Sequence, residues 1–122
     1  MLLIYFNIKT KIKRKKIYNI TNEISKTLGP IKLNLEGGKI LEKTTLAYSL
    51  WGSLNKEKSN AILICHALTG DQFVSGLNPI TKKDGWWSYA VGPKKAVDTD
   101  KYFVICANVI GGCLGSFGPS NT

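Results

Sequence analysis

Histidine occurs once in this chain, at His66, and no cysteines or histidines fall at the short repeated spacings that hold a metal ion. No metal centre is expected. Long apolar runs are missing too: residues 61–65 break off after five, far short of the roughly 18 that a membrane helix needs. Residues 1–6 are apolar, but a secretory leader puts basic residues before a longer apolar stretch and a small-residue cleavage site behind it. Here the basic residues follow the apolar ones, so no leader is read, and a soluble, cytoplasmic protein is expected. Acids are scarce, eight against 17 Lys and Arg, for a net charge of +9. A surplus of that size raises nucleic acid or an anionic membrane as partners. Its placement argues against both, because residues 1–20 carry six basic side chains and no acid, leaving +3 for residues 21–122. Such a run reads as a solvated, poorly ordered segment.

The 122 residues are 43% hydrophobic and 20% charged, the balance of a globular chain. They suffice for one domain or part of one, since a complete α/β enzyme usually takes roughly 200 or more. Three cysteines, Cys65, Cys106 and Cys113, are present, two of them within apolar runs. They read as reduced core thiols of a cytoplasmic protein.

Residues 21–28 read as a turn of helix or as linker, closed by Gly29-Pro30. That pair divides a basic N-terminal extension, 1–29, from a folded unit, 30–122. Ile31, Leu33 and Leu35 alternate with polar residues as in a half-buried strand, Gly37-Gly38 supplies a hairpin turn, and residues 41–51 form its antiparallel partner. Residues 61–65 are continuously apolar, which suits a strand covered on both faces in a parallel sheet, and residues 102–107 repeat the pattern. Two such runs joined by a long connection imply a crossover unit and the α/β class. The connection, 66–101, is rich in Gly, Pro and Asp and reads as a functional loop followed by a short helix within 87–97.

The segment His66-Ala67-Leu68-Thr69-Gly70-Asp71 directly follows the first buried strand. Open α/β sheets bind ligands beyond the carboxyl ends of their strands. A small residue and a glycine there let the backbone turn tightly and aim an N–H group into the cleft, as an oxyanion hole requires. His66 has two readings, a hydrogen-bonded structural residue or a base. Gly111, Gly112, Gly115 and Gly118 carry neither Gly-x-Gly-x-x-Gly nor Gly-Lys-Ser, so they are weak as a phosphate cradle. Trp86 and Trp87 read as one core and one half-exposed residue, or as a stacking platform for a base. Asp98 and Asp100 read as turn-forming residues ahead of a strand.

Four motifs together resemble one family: His-Ala-Leu-Thr-Gly-Asp at 66–71, Gly-Trp-Trp at 85–87, Gly-Pro-x-Lys-Ala-x-Asp-Thr-Asp-x-Tyr-Phe-Val-Ile-Cys-Ala-Asn at 92–108, and Gly-Gly-Cys-x-Gly-Ser-x-Gly-Pro-Ser at 111–120. In this order they resemble the homoserine O-acetyltransferases over residues 30–122, with 1–29 uncovered. The resemblance implies an α/β-hydrolase fold, here truncated to an N-terminal antiparallel strand pair plus the first parallel strands. It implies a Ser-His-Asp triad that carries an acyl group from acetyl-CoA, a co-substrate, to homoserine through an acyl-serine, with no metal or prosthetic group. It further implies a homodimer for the full-length enzyme. Leu68 matches the position whose backbone N–H forms half of the oxyanion hole, and His66, Ala67, Thr69, Gly70, Gly111, Gly112 and Ser116 are candidates for lining the cleft.

The family's Gly-x-Ser-x-Gly elbow is not present. Leu114-Gly115-Ser116-Phe117-Gly118 lacks the glycine two places before Ser116, and His66 stands too early for the family's Ser, Asp, His order. None of the triad is therefore read in this chain, and alone it is expected to be inactive. The succinyl-CoA-using and serine-acylating relatives stay open as alternatives. So do two readings of another class, a protein whose basic tail binds a polyanion and a remnant without function.

Overall fold

The computed structural model describes residues 24–119, so the order expected of the basic segment 1–20 falls outside the described residues. The described chain forms strands β1 (Ile24–Asn34), β2 (Ile40–Trp51), β3 (Ala61–Ile64), β4 (Val91–Gly92), β5 (Val97–Asp98) and β6 (Phe103–Ala107). One sheet has the order β1-β2-β6-β3, and β4 and β5 make a small pair of their own.

The β1–β2 hairpin turns where Gly37-Gly38 predicts it: Leu35 N–H donates to Lys39 O at 2.8 Å, and Gly38 has a φ of 79°, which suits glycine. β1 differs from expectation in its start. Residues 24–28, read as helical turn or linker, are strand and pair with Leu50 through Leu46. Gly29-Pro30, the expected edge of the folded unit, is an irregularity inside β1. The register shifts between Leu28 and Ile31, because a proline has no N–H to give the ladder. The length of β2 explains the extension, since its residues 46–50 pair with β1 on one side while residues 48–51 pair with β6 on the other. β1 is also less buried than its alternation suggests: Ile31 and Leu35 are exposed, and Leu33 alone of the three is half-buried.

β6 lies between β2, antiparallel with Trp51 opposite Val104, and β3, parallel with Ile64 opposite Cys106. The core sits on one face of these three strands. Trp51, Val104, Cys106 and Ile64 meet Val74 and Val91 of the long connection, with Ile62, Trp87 and Val97 against them. The other face is more open: Leu63 of β3 is 41% exposed. The expectation that β3 is covered on both faces is therefore corrected. β3 ends the sheet among the described residues, and the connection covers one face.

The short helix expected within 87–97 does not form. Ala90 and Val91 N–H groups both donate to Trp87 O, at 2.9 and 3.0 Å, and the turn passes straight into β4. Gly92-Pro93 explains the failure, since proline disfavours helix at the residue before it. No α-helix occurs among the described residues, and none there is long and apolar enough to cross a membrane.

The Gly-Trp-Trp motif straps down the connection. Gly85 N–H donates to Gly76 O at 2.6 Å and Trp87 N–H to Val74 O at 2.8 Å. A Cβ at Gly85 would stand 2.5 Å from Ser75 N and 2.7 Å from Phe73 O, so only glycine permits this approach.

Candidate active site

Parallel strands β3 and β6 run in register, so the chain leaves both at the same level and two loops emerge side by side. Between them lies a hollow of about 310 Å³, lined by His66, Leu68, Thr69, Gly70 and residues 109–114. Its position at the carboxyl ends of parallel strands is where α/β sheets place their ligands.

The first loop opens with a β-turn. Gly70 N–H donates to Ala67 O at 2.8 Å, which puts Leu68 and Thr69 at the two central positions. The N–H of the first central residue takes no part in closing such a turn. Leu68 N–H accordingly has no hydrogen-bond partner among the described residues, and the Leu68 side chain is 95% exposed. A main-chain donor is thereby left unused at the wall of the hollow.

His66, half-buried, uses both ring nitrogens. Nδ1 lies 2.7 Å from Ala67 O, and Nε2 accepts the N–H of Val109 from the second loop at 3.3 Å. Asp71 is also fully engaged: its Oδ1 accepts Phe73 N–H at 2.8 Å and its Oδ2 accepts Asn78 Nδ2 at 3.1 Å. The Asp71 carbonyl accepts Trp86 Nε1 at 3.0 Å. Trp86 and Trp87 stack with centroids 5.9 Å apart; Trp87 packs on the core and Trp86 is half exposed.

The second loop is fixed from below. Gln72, buried, donates from Nε2 to Leu114 O at 3.0 Å and so ties the two loops together. Ser116 accepts Ala47 N–H at 3.0 Å and donates to Asn108 O at 2.6 Å, and is 2% exposed. Ser116 therefore faces β2 and does not line the hollow, which corrects its candidacy. Ala67 does not line it either; its carbonyl instead holds the turn. Val109, Ile110, Cys113 and Leu114 do line it and were not among the sequence candidates, although their neighbours Gly111 and Gly112 were. Gln72 and Asn108 were also missed, because nothing in their spacing marks a polar residue as buried.

Cys106 is buried, and burial first, then the neighbouring Cys65 and Asp71, pushes its thiol up to about 12. Cys65, expected in the core, is exposed, because β3 ends at Ile64 and its successor leaves the sheet. Near the start of β6, Asp98 accepts the N–H groups of Lys94 at 2.9 Å and Asp100 at 3.1 Å. These bonds hold its carboxyl below the usual range. Among the described residues no three His, Cys, Asp or Glu side chains gather as a metal site. Chemically, the hollow offers an unused N–H donor, few ionisable groups and no serine bonded to a histidine among the described residues. It suits the stabilisation of a developing oxyanion more than the supply of a nucleophile.

No family model matches the chain. The chain is similar to the homoserine O-acetyltransferase of Pelagibacter ubique, at 66% identity over 102 residues that cover 84% of this chain and 27% of that protein. Among solved structures it is similar to the homoserine O-acetyltransferase from Bacillus anthracis, with 34% identity, a TM-score of 0.59, and coverage of 71% of this chain and 23% of that one. It is also similar to an acetylester hydrolase from Corynebacterium glutamicum, with 37% identity, a TM-score of 0.63, and coverage of 81% and 25%. The chain spans about a quarter of the length of the curated relatives it matches. The fold is that of the α/β hydrolases, represented here by its antiparallel strand pair and first parallel strands.

Proposed function

Because this chain belongs to the homoserine O-acetyltransferase family, we propose that it is the leading part of a cytoplasmic enzyme that moves an acetyl group from acetyl-CoA to the hydroxyl of homoserine. Its own contribution is one oxyanion donor and a wall of the acyl pocket. The nucleophile, its base and the residue that orients the base are supplied from outside this chain.

In that reaction a serine oxygen adds to the thioester carbonyl, the C–S bond breaks, and CoA leaves as a thiol. The homoserine hydroxyl then displaces the serine from the acetyl group, which restores the serine hydroxyl. In both additions the carbonyl oxygen becomes an oxyanion, and a fixed N–H stabilises it most where water is excluded. The observation that carries the reading is the unused Leu68 N–H at the wall of the hollow. The apolar surfaces of Leu68, Val109 and Ile110 around it are suited to cover by the remainder of a longer protein.

The test grafts residues 30–119 onto the remainder of the Pelagibacter ubique protein and measures CoA release with homoserine. The graft should transfer acetyl, and the 122-residue chain alone should not exceed the uncatalysed rate. Leu68→Pro in the graft removes the N–H at a turn position where proline is favoured. It should lower kcat by about 10²–10³ with little change in KM. A folded graft that transfers nothing, or a Pro variant with unchanged kcat, refutes the reading. Parallel assays with succinyl-CoA and with serine decide between the acyl donors and acceptors of the alternatives.

A further inference from the structure

The first loop holds its turn by a side chain that also reaches the second loop. Ala67 O accepts two donors, Gly70 N–H at 2.8 Å and His66 Nδ1 at 2.7 Å. The same ring accepts Val109 N–H at Nε2. A backbone N–H can only donate, so Nε2 must be bare. In the neutral ring the proton is then on Nδ1, the position facing the Ala67 carbonyl. Each hydrogen bond requires the tautomer that the other one uses. Gly70 backs directly onto the ring: a Cβ there would lie 3.0 Å from His66 Cβ and 3.3 Å from Cγ. The imidazole is therefore packed against Gly70, the residue that closes the turn carrying Leu68.

From this geometry we propose that His66 is a positioning residue, a tautomer-locked latch that clamps the 67–70 turn to the loop after β6 and holds the unused Leu68 N–H in place at the wall of the hollow. The proposal deepens the oxyanion-donor reading of Leu68 and rests on it. His66 takes no proton from substrate in this role, since both ring nitrogens are committed to the backbone.

The full 122-residue chain, labelled with ¹⁵N, tests this without turnover, and His66 is its only histidine, so the ring signals need no assignment. At a pH where the ring is neutral, a two-bond ¹H–¹⁵N spectrum should show Nδ1 protonated and Nε2 bare. The Val109 amide should exchange slowly, and the Leu68 N–H should be rigid, with an order parameter of about 0.85. His66→Asn keeps a donor near the Nδ1 position but cannot reach Val109, so it should speed Val109 exchange about tenfold or more and drop the Leu68 order parameter below about 0.6. His66→Gln places an amide near the Nε2 position, so it should keep much of the Val109 protection. A ring protonated on Nε2 overturns the proposal, as does a Leu68 amide equally ordered in wild type and His66→Asn. A chain whose Val104 and Ile105 amides are also unprotected overturns it as well, because the latch requires both strands to be formed. Loss of the latch in these spectra and failure of the graft to transfer acetyl are separate results, so the two readings can fall independently.

Discussion

The Ser116 hydroxyl donates to the carbonyl of Asn108 at 2.6 Å, eight residues back along the same loop, and closes that loop over the end of β6. The same oxygen accepts the N–H of Ala47 in β2, and Phe117 N–H donates to Thr45 O at 2.8 Å. The glycine-rich segment is thus laid along β2 by a buried serine in a structural role. Ser116→Ala leaves a buried N–H and a buried carbonyl each short of a partner, which costs about 1–3 kcal/mol. Urea denaturation should show a lower midpoint with an unchanged slope. An unaltered midpoint would mean that the hydroxyl is not the clasp described.

The three thiols differ in accessibility. Cys65 and Cys113 are exposed, whereas Cys106 is fully buried with its thiol pushed up to about 12. The thiolate is the reactive species, so burial suppresses reaction both by blocking access and by keeping the proton on. A thiol reagent at pH 8 should titrate two groups per native chain promptly and the third only after denaturant is added. Prompt reaction of all three would place Cys106 outside the core.

Gly85 sits where a methyl group would meet the backbone of residues 73–75, and no flexible side chain is there to yield. Gly85→Ala should therefore cost about 1–3 kcal/mol through forced backbone displacement. The loss should be local first. Hydrogen exchange should quicken at Trp87, whose N–H is bonded to Val74 O, before it changes at Ile105 in the sheet. Uniform loss across the sheet would show that the strap and the sheet open as one unit.

The strands that were legible in the sequence are those whose pattern is local. The alternation before Gly37-Gly38 and the unbroken apolar runs at 61–65 and 102–107 give the hairpin and the parallel pair, because period and turn chemistry act over a few residues. Residues 24–28 were not legible, since only pairing with the distant Leu46 to Leu50 stretch makes them strand. The missing helix was legible in hindsight from Pro93. At the site, the glycine and small residue of 66–71 mark the turn. The engagement of His66 is invisible in one dimension, because its partner Val109 lies 43 positions away. Gln72 and Asn108 are buried by loops that cross only in three dimensions, so composition alone reads them as surface residues.

Two groups contribute to the pH dependence of stability from opposite ends. Hydrogen bonds from the Lys94 and Asp100 N–H groups lower the Asp98 pKa in the folded chain. On acidification the unfolded state binds a proton first, so this stabilisation is present above the ordinary carboxylate value and is lost as pH falls through the folded value. Cys106 is raised to about 12 from 9.0, so on alkalinisation the unfolded thiol ionises first. Its contribution is present below 9 and is lost as pH rises towards 12. Thermal melts across pH should therefore decline at both ends. Asp98→Asn should flatten the acid limb alone, and Cys106→Ala the alkaline limb alone, each compared with its own plateau near neutrality. If Cys106→Ala left the alkaline limb as steep as in the parent, the titrating group there would be another side chain, and the desolvated thiol would not govern that limb.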